Sequence, residues 1–149
     1  SLLEDMSLYW NDDKYIVDTF VLKTIKRFEV ENGAEQDLLP EFKDEEDREF
    51  AHRLFRNTLL NADYYRKLVS DNTKNWEFNR IALMDLVIMQ IALAEILTFP
   101  NIPLNVSLNE YVDIAKIYST PRSGLYVNGL LDAISKKLIQ EGKLKKETN

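Results

Sequence analysis

Cysteine is absent from the 149 residues, and glycine and proline are scarce, at four each. Without cysteine the chain can form neither disulfides nor thiolate metal sites, and the composition fits a reducing compartment such as the cytoplasm. Because glycine and proline are the residues that most often interrupt helices, their scarcity favours long helices. The first expectation is therefore a cytoplasmic, mostly helical protein.

Long hydrophobic runs are also missing. The segment 75–99 is apolar on nearly every side, but Asp85, Gln90 and Glu95 interrupt it roughly every five residues. A membrane span needs about 20 consecutive apolar residues, so we expect no span here. A shorter helix that is apolar all round is typically central and buried. We therefore place a buried helix at 80–99 in the middle of the fold.

Positive charge is limited, and the formal net charge is −6. The chain as a whole has no electrostatic attraction to nucleic acid. Any contact with RNA must come from a local patch or be supported by a partner.

Enzyme signatures are lacking as well. Glu49 and His52 form an E-x-x-H turn, as in dinuclear carboxylate bundles, but such sites need a second copy and two further glutamates. His52 is the single histidine of the chain. No phosphate loop, nucleophile elbow or histidine-bearing triad occurs. We predict that the protein is not an enzyme and uses no metal or cofactor.

What is present is helical periodicity, with no convincing strand. Apolar residues recur at i, i+3 and i+4 along successive segments. The pattern predicts an all-α fold, a compact bundle of about six to seven helices around the central buried helix. Its expected parts are an N-terminal helix and linker at 1–45, a helical domain at 46–140 and a flexible basic tail at 141–149.

Two helix starts near the C-terminus have local signals. Ser107 and Glu110 form S-x-x-E, which predicts a capping box and a helix beginning at Ser107. Thr120 before Pro121 predicts an N-cap followed by the first helical residue. The last helix is expected to bury Leu125, Leu131, Ile134 and Leu138.

Polar residues within this last helix suggest a binding surface. Gly129 predicts close approach of another backbone, and Asn128 a hydrogen bond to a neighbouring loop. Tyr126, next to Leu125 and near Arg122, could be a platform for an unstacked base. Surface tyrosines are common, so a tyrosine without function is an open alternative.

Several of these motifs occur in an order and spacing that resemble the NusB family of bacterial transcription antitermination factors, over residues 75–138. The matching positions are Ala94-Glu95, Ile102-Pro103, Leu108-Asn109-Glu110, Ala115-Lys116, Ser123 and the run from Tyr126 to Asp132. The resemblance implies two packed three-helix subdomains. It also implies binding of boxA-type RNA together with NusE, a small ribosomal-subunit protein, in a complex that acts on RNA polymerase at ribosomal RNA operons.

The resemblance also assigns residues. It places RNA contacts at Lys116, Ser119, Arg122, Ser123 and Tyr126, and an acidic NusE contact at Asp85. With or without this resemblance, Asn109, Glu110, Asn128 and Gly129 are expected to be architectural.

The chain departs from the family pattern in ways that reduce positive charge. No arginine-rich segment is found in residues 1–45, and the chain resembles the C-terminal part of a long-form member. Gln90 stands where the family usually has arginine, and Leu125 where it has lysine. We therefore expect weak binding to boxA RNA alone, improved by NusE.

Two other functions fit the same helices. One is a NusB-like domain of a ribosomal RNA cytosine methyltransferase. The other is a helical protein-interaction module that does not bind RNA.

Overall fold

The structure, a computed structural model, describes residues 45–148, without the side chains of Glu45, Asp47 and Arg48. Predictions for the helix within 1–45 lie outside this range. The described residues form six helices and no strand, which confirms the all-α prediction. The helices are α1 (Glu45–Leu60), α2 (Ala62–Asp71), α3 (Asn75–Phe78), α4 (Leu83–Thr98), α5 (Leu104–Tyr118) and α6 (Pro121–Gln140).

Helix α4 is the centre of the bundle, as predicted. It is buried continuously from Asp85 to Ile96 and packs against α1, α2, α5 and α6. The segment 75–99 is not one helix, because residues 79–82 form a turn between α3 and α4. Within residues 45–148, no helix combines the length and apolarity that crossing a membrane requires.

Helices α5 and α6 form a hairpin joined by two residues. The side chain of Thr120 accepts a hydrogen bond from the Ser123 N–H at 3.1 Å, and Pro121 follows it as the first helical residue. This confirms the predicted start of α6. The tight connection holds the last turn of α5 beside the first turn of α6.

The predicted capping box at the start of α5 is wrong. The helix begins at Leu104, so Ser107 lies inside it, buried, and donates a hydrogen bond to Glu95 Oε2 at 2.6 Å. A serine can satisfy a backbone N–H or a distant carboxyl, and local sequence does not distinguish the two.

The burial expected of Leu125 is also wrong, since 75% of that residue is exposed. Its position lies on the side of α6 opposite the buried residues. The buried residues of α6 are Ser123, Gly124, Val127, Leu130, Leu131, Ile134, Ser135 and Leu138.

The chain after α6 differs from the flexible tail expected at 141–149. Gly142 adopts a φ of +74°, a left-handed conformation that ends a helix at little cost for glycine. The N–H groups of Lys143 and Leu144 then donate to Leu138 O at 2.8 and 3.2 Å. Leu144 is buried in the hydrophobic core. This part of the tail is therefore fastened to the bundle.

Candidate functional site

A cluster of hydroxyl and carboxyl groups joins α4, α5 and α6 at one end of the bundle. The Ser123 hydroxyl donates to Asp85 Oδ2 at 2.9 Å. Ser119 Oγ lies 2.9 Å and Thr120 Oγ1 3.2 Å from the same Ser123 oxygen. Because a hydroxyl has one proton, Ser123 donates to Asp85 and accepts from its neighbours. We call these four residues the Ser123 cluster.

Asp85 is buried rather than presented on the surface, with 6% of the residue exposed. It lies in the first turn of α4, where the helix dipole favours an acidic side chain. Its Oδ1 atom is buried and has no hydrogen-bond partner within the described part of the chain. Of the predicted RNA contacts, Ser123 is buried and Ser119 half-buried, so both act mainly in holding the three helices together.

Tyr126 is half-buried, with its ring packed against the core. Its hydroxyl donates to Glu77 Oε1 on α3 at 3.0 Å. Burial and the Glu77 carboxylate raise the pKa of Tyr126 to about 12. The ring is therefore fixed at its hydroxyl end and accessible over part of its surface.

Two exposed cationic side chains precede this ring in the sequence. Arg122 is on the first turn of α6, and Lys116 is on the last turn of α5. The stem of Lys116 lies across Gly124, because a Cβ atom placed at Gly124 would come within 2.6 Å of Lys116 Cγ. A glycine at this position lets the lysine cross the helix hairpin.

The close approach predicted at Gly129 is not found among the described residues. Apart from its chain neighbours and the backbone of its own helix, no atom of residues 45–148 lies within 4 Å of a Cβ built at that position. The side chain of Asn128 is exposed too and makes no hydrogen bond to the described residues, so the bond expected to a loop is not found there. An architectural role is not supported for either residue.

Three apolar side chains are exposed on the helices that carry the Ser123 cluster. Leu83 lies on α4, Ile117 on α5 and Leu125 on α6. Each is two residues from a member of the cluster, so it points to a different side of its helix from that member.

Sequence reasoning missed Glu77 and Gly124 in this site. Glu77 meets Tyr126 across 49 residues of sequence, and no local pattern marks that contact. Gly124 did carry a signal, since a glycine within a helix indicates a close neighbour, but that reasoning was applied to Gly129.

The possible metal turn does not form a site among the described residues. Glu49 and His52 are both exposed on α1. Residues 45–148 contain no group of three or more histidine, cysteine or acidic side chains that could hold a metal ion.

Comparisons with known proteins agree with one another. The sequence model of the NusB family matches residues 16–136. The transcription antitermination protein NusB of Salinibacter ruber is 41% identical over 132 residues, covering 85% of this chain and 82% of that protein. The protein of the same name from Desulfatibacillum aliphaticivorans is 36% identical over 99 residues, covering 66% of this chain and 69% of that protein. The solved structure of T. maritima NusB superimposes with a TM-score of 0.64 at 29% identity, covering 89% of this chain and 95% of that one.

Proposed function

The chain belongs to the NusB family of transcription antitermination proteins, and we propose that it binds boxA-type RNA together with NusE and acts with RNA polymerase at ribosomal RNA operons. Transcription antitermination is the function named for its relatives, and that name describes a transcription factor rather than an enzyme.

The observation that carries the RNA proposal is the half-buried ring of Tyr126 near the N-terminus of α6. Stacking a base on an aromatic ring contributes about 1–3 kcal/mol and requires only an accessible face. Arg122 and Lys116 supply positive charge at the same end of the hairpin. The N-terminal end of α6 adds the positive end of a 20-residue helix dipole, which favours phosphate.

The Ser123 cluster supports the proposed contact with NusE. Asp85 Oδ1 is an acceptor without a partner among the described residues, so a donor from a docked protein could satisfy it.

Weak RNA binding in the absence of NusE is part of this proposal. The net charge of −6 opposes the approach of a polyanion, and few cations flank the ring. A partner that contributes further phosphate contacts would offset the repulsion.

Titration of a fluorescent boxA-type RNA, followed by anisotropy with NusE present, tests the RNA site. We expect Tyr126→Ala to weaken binding about tenfold through lost stacking. Arg122→Ala should weaken it about threefold and make the salt dependence less steep by one phosphate contact. Lys137→Ala removes an exposed cation farther along α6, so it is the matched control and should bind like the unmodified chain. Unchanged binding by Tyr126→Ala would refute the proposed site.

A pull-down with NusE, with and without boxA RNA, separates the proposal from an interaction module that lacks RNA binding. Our proposal requires RNA to increase NusE capture. Equal capture in both conditions, together with no RNA binding, would favour the interaction module.

A further inference from the structure

Glu77 is in direct contact with the proposed RNA platform but belongs to a different helix. It lies on the four-residue helix α3, and its Oε1 atom accepts the Tyr126 hydroxyl at 3.0 Å. We propose that Glu77 is a positioning residue for RNA binding, which fixes the Tyr126 ring and directs the phosphate backbone toward Arg122. This inference rests on the proposed RNA function of Tyr126.

The hydrogen bond determines what the ring can offer to RNA. The Tyr126 hydroxyl is protonated at neutral pH, as tyrosine hydroxyls ordinarily are, and its proton is donated to Glu77. The same proton is then unavailable to a base or a phosphate. Tyr126 would therefore bind nucleotides through its ring face, a contact that tolerates different bases.

The carboxylate of Glu77 also makes the field around the ring asymmetric. A negative group lies at the hydroxyl end, whereas Arg122 lies one helical turn before Tyr126 on α6. Phosphates are repelled by the Glu77 carboxylate and attracted by the Arg122 guanidinium. An RNA strand stacked on the ring would thus place its backbone on the Arg122 side.

The residues around Glu77 show that α3 is held by packing as well as by this bond. Phe78 packs against the core, and the guanidinium of Arg66 lies 5.1 Å from its ring centroid. Replacing Glu77 should therefore leave α3 in place while releasing the Tyr126 hydroxyl.

Three variants separate the two roles assigned to Glu77. Glu77→Gln keeps an acceptor oxygen but removes the charge, and Glu77→Ala removes both. Glu141→Gln, an exposed glutamate at the far end of α6, is the charge-matched control, about 22 Å from Tyr126 along the helix. Circular dichroism establishes that each variant is folded.

The first measurement needs no RNA. Stopped-flow pH jumps, followed by tyrosinate absorbance, give the ionisation midpoint of Tyr126 when each variant is compared with its Tyr126→Phe derivative. We expect the midpoint to fall below about 12 in both Glu77 variants, though only part of the way to 10.0, because burial is the larger cause of the raised pKa and remains, and to stay unchanged in Glu141→Gln. A midpoint near 12 in Glu77→Ala would overturn the positioning role.

The second measurement is RNA affinity with NusE present, at several salt concentrations. Glu77→Gln keeps the hydrogen bond to Tyr126 but removes the charge that repels phosphate. It should therefore bind RNA about threefold more tightly than the unmodified protein at low salt. Glu77→Ala, with a released ring, should bind about threefold more weakly than Glu77→Gln.

The two measurements distinguish failure of this inference from failure of the proposed function. If Tyr126→Ala abolishes RNA binding while both Glu77 variants bind like the unmodified protein, the inference is overturned and the RNA site stands. If Tyr126→Ala has no effect on RNA binding, the proposed site and this inference both fall.

Discussion

The two ends of helix α4 stabilise a buried carboxyl group in similar ways but differ in what surrounds that group. Each end buries a carboxyl group, Asp85 in the first turn and Glu95 in the last, about 15 Å apart along the axis. Each carboxyl accepts a hydrogen bond from a serine hydroxyl on a neighbouring helix. Asp85 accepts from Ser123 at 2.9 Å, and Glu95 accepts from Ser107 at 2.6 Å. Between them Gln90 is the one other buried polar residue of the helix, and its amide donates to Ala62 O at 2.9 Å.

The surroundings of the two groups differ. Glu95 is 1% exposed. Burial raises the pKa of the Tyr111 hydroxyl, and the nearby Glu95 carboxyl raises it further. Burial lowers the pKa of Lys146, and Glu95 acts in the opposite direction without reversing that shift. Asp85 is 6% exposed, and one of its oxygens has no partner in the described range.

Under the proposed NusE contact at Asp85, one kind of interaction would serve structure at one end and recognition at the other. At the Glu95 end the carboxyl is almost completely buried, and Lys146 of the tail lies close enough for the carboxyl to raise its pKa, against the larger lowering by burial. At the Asp85 end 6% of the residue is exposed, and one buried oxygen lacks a partner among the described residues. We therefore expect substitutions at the Glu95 end to affect mainly stability and those at the Asp85 end mainly binding.

The largest expected effect is that of Glu95→Ala on the free energy of unfolding. The change leaves the buried Ser107 hydroxyl without its acceptor and Lys146 without the facing carboxyl, at a cost of about 3 kcal/mol. Asp85→Ala removes one hydrogen bond, while Ser119 and Thr120 remain beside Ser123, so about 1 kcal/mol should be lost. Urea denaturation of both variants measures the difference. Equal losses would contradict the distinction between the two ends.

The second largest effect on stability is expected from the part of the tail that packs against the bundle. Leu144→Ala removes a buried side chain and should cost about 2 kcal/mol, the low end for such changes because a chain terminus can adjust. Lys145→Ala, at the exposed neighbour, is the control and should cost almost nothing. If Leu144→Ala and Lys145→Ala unfold at the same urea concentration, the buried Leu144 side chain does not contribute to the stability of the bundle.

The features that the sequence predicted correctly are those with local signals. Helix α4 is apolar all round and is buried, and Thr120 followed by Pro121 begins α6 as the capping rule requires. These patterns depend on residues within one or two turns of each other.

The features that sequence could not predict depend on distant partners. Ser107 pairs with Glu95 rather than with its own helix start, and Tyr126 pairs with Glu77 across 49 residues. For Leu125 a signal was available, because its position is out of phase with the buried row of α6. The prediction that Leu125 is buried followed its hydrophobic character rather than its position on the helix.

A smaller effect, on binding rather than folding, is expected from Asp85→Asn. The amide keeps an oxygen for the Ser123 hydroxyl but loses the charged acceptor at the other position, so affinity for NusE should fall by about 1 kcal/mol. Glu95→Gln is the matched control, because it changes the other buried carboxyl in the same way. Isothermal titration of folded variants with NusE compares them. A greater loss in Glu95→Gln than in Asp85→Asn would reverse the assignment of roles.

The smallest effect is the pH dependence of stability due to Tyr126. Its pKa is raised from 10.0 to about 12, so the folded state retains the phenolic proton more strongly than the unfolded chain. The stabilisation is complete below pH 10 and is lost as the pH rises toward 12, because the unfolded chain releases its proton first. Tyr126→Phe lacks both this proton and the bond to Glu77, at a cost of about 1 kcal/mol near neutral pH.

The advantage of the unmodified protein over Tyr126→Phe should therefore shrink as the pH rises. Tyr65 and Tyr111 also have raised pKa values, both mainly through burial, but they are present in both proteins and cancel in the difference. Urea denaturation from roughly pH 8 to pH 11 measures this difference directly. If the stabilities of the two proteins change with pH in parallel, the Tyr126 hydroxyl does not donate its proton to Glu77. The ring of Tyr126 would then not be fixed by that bond.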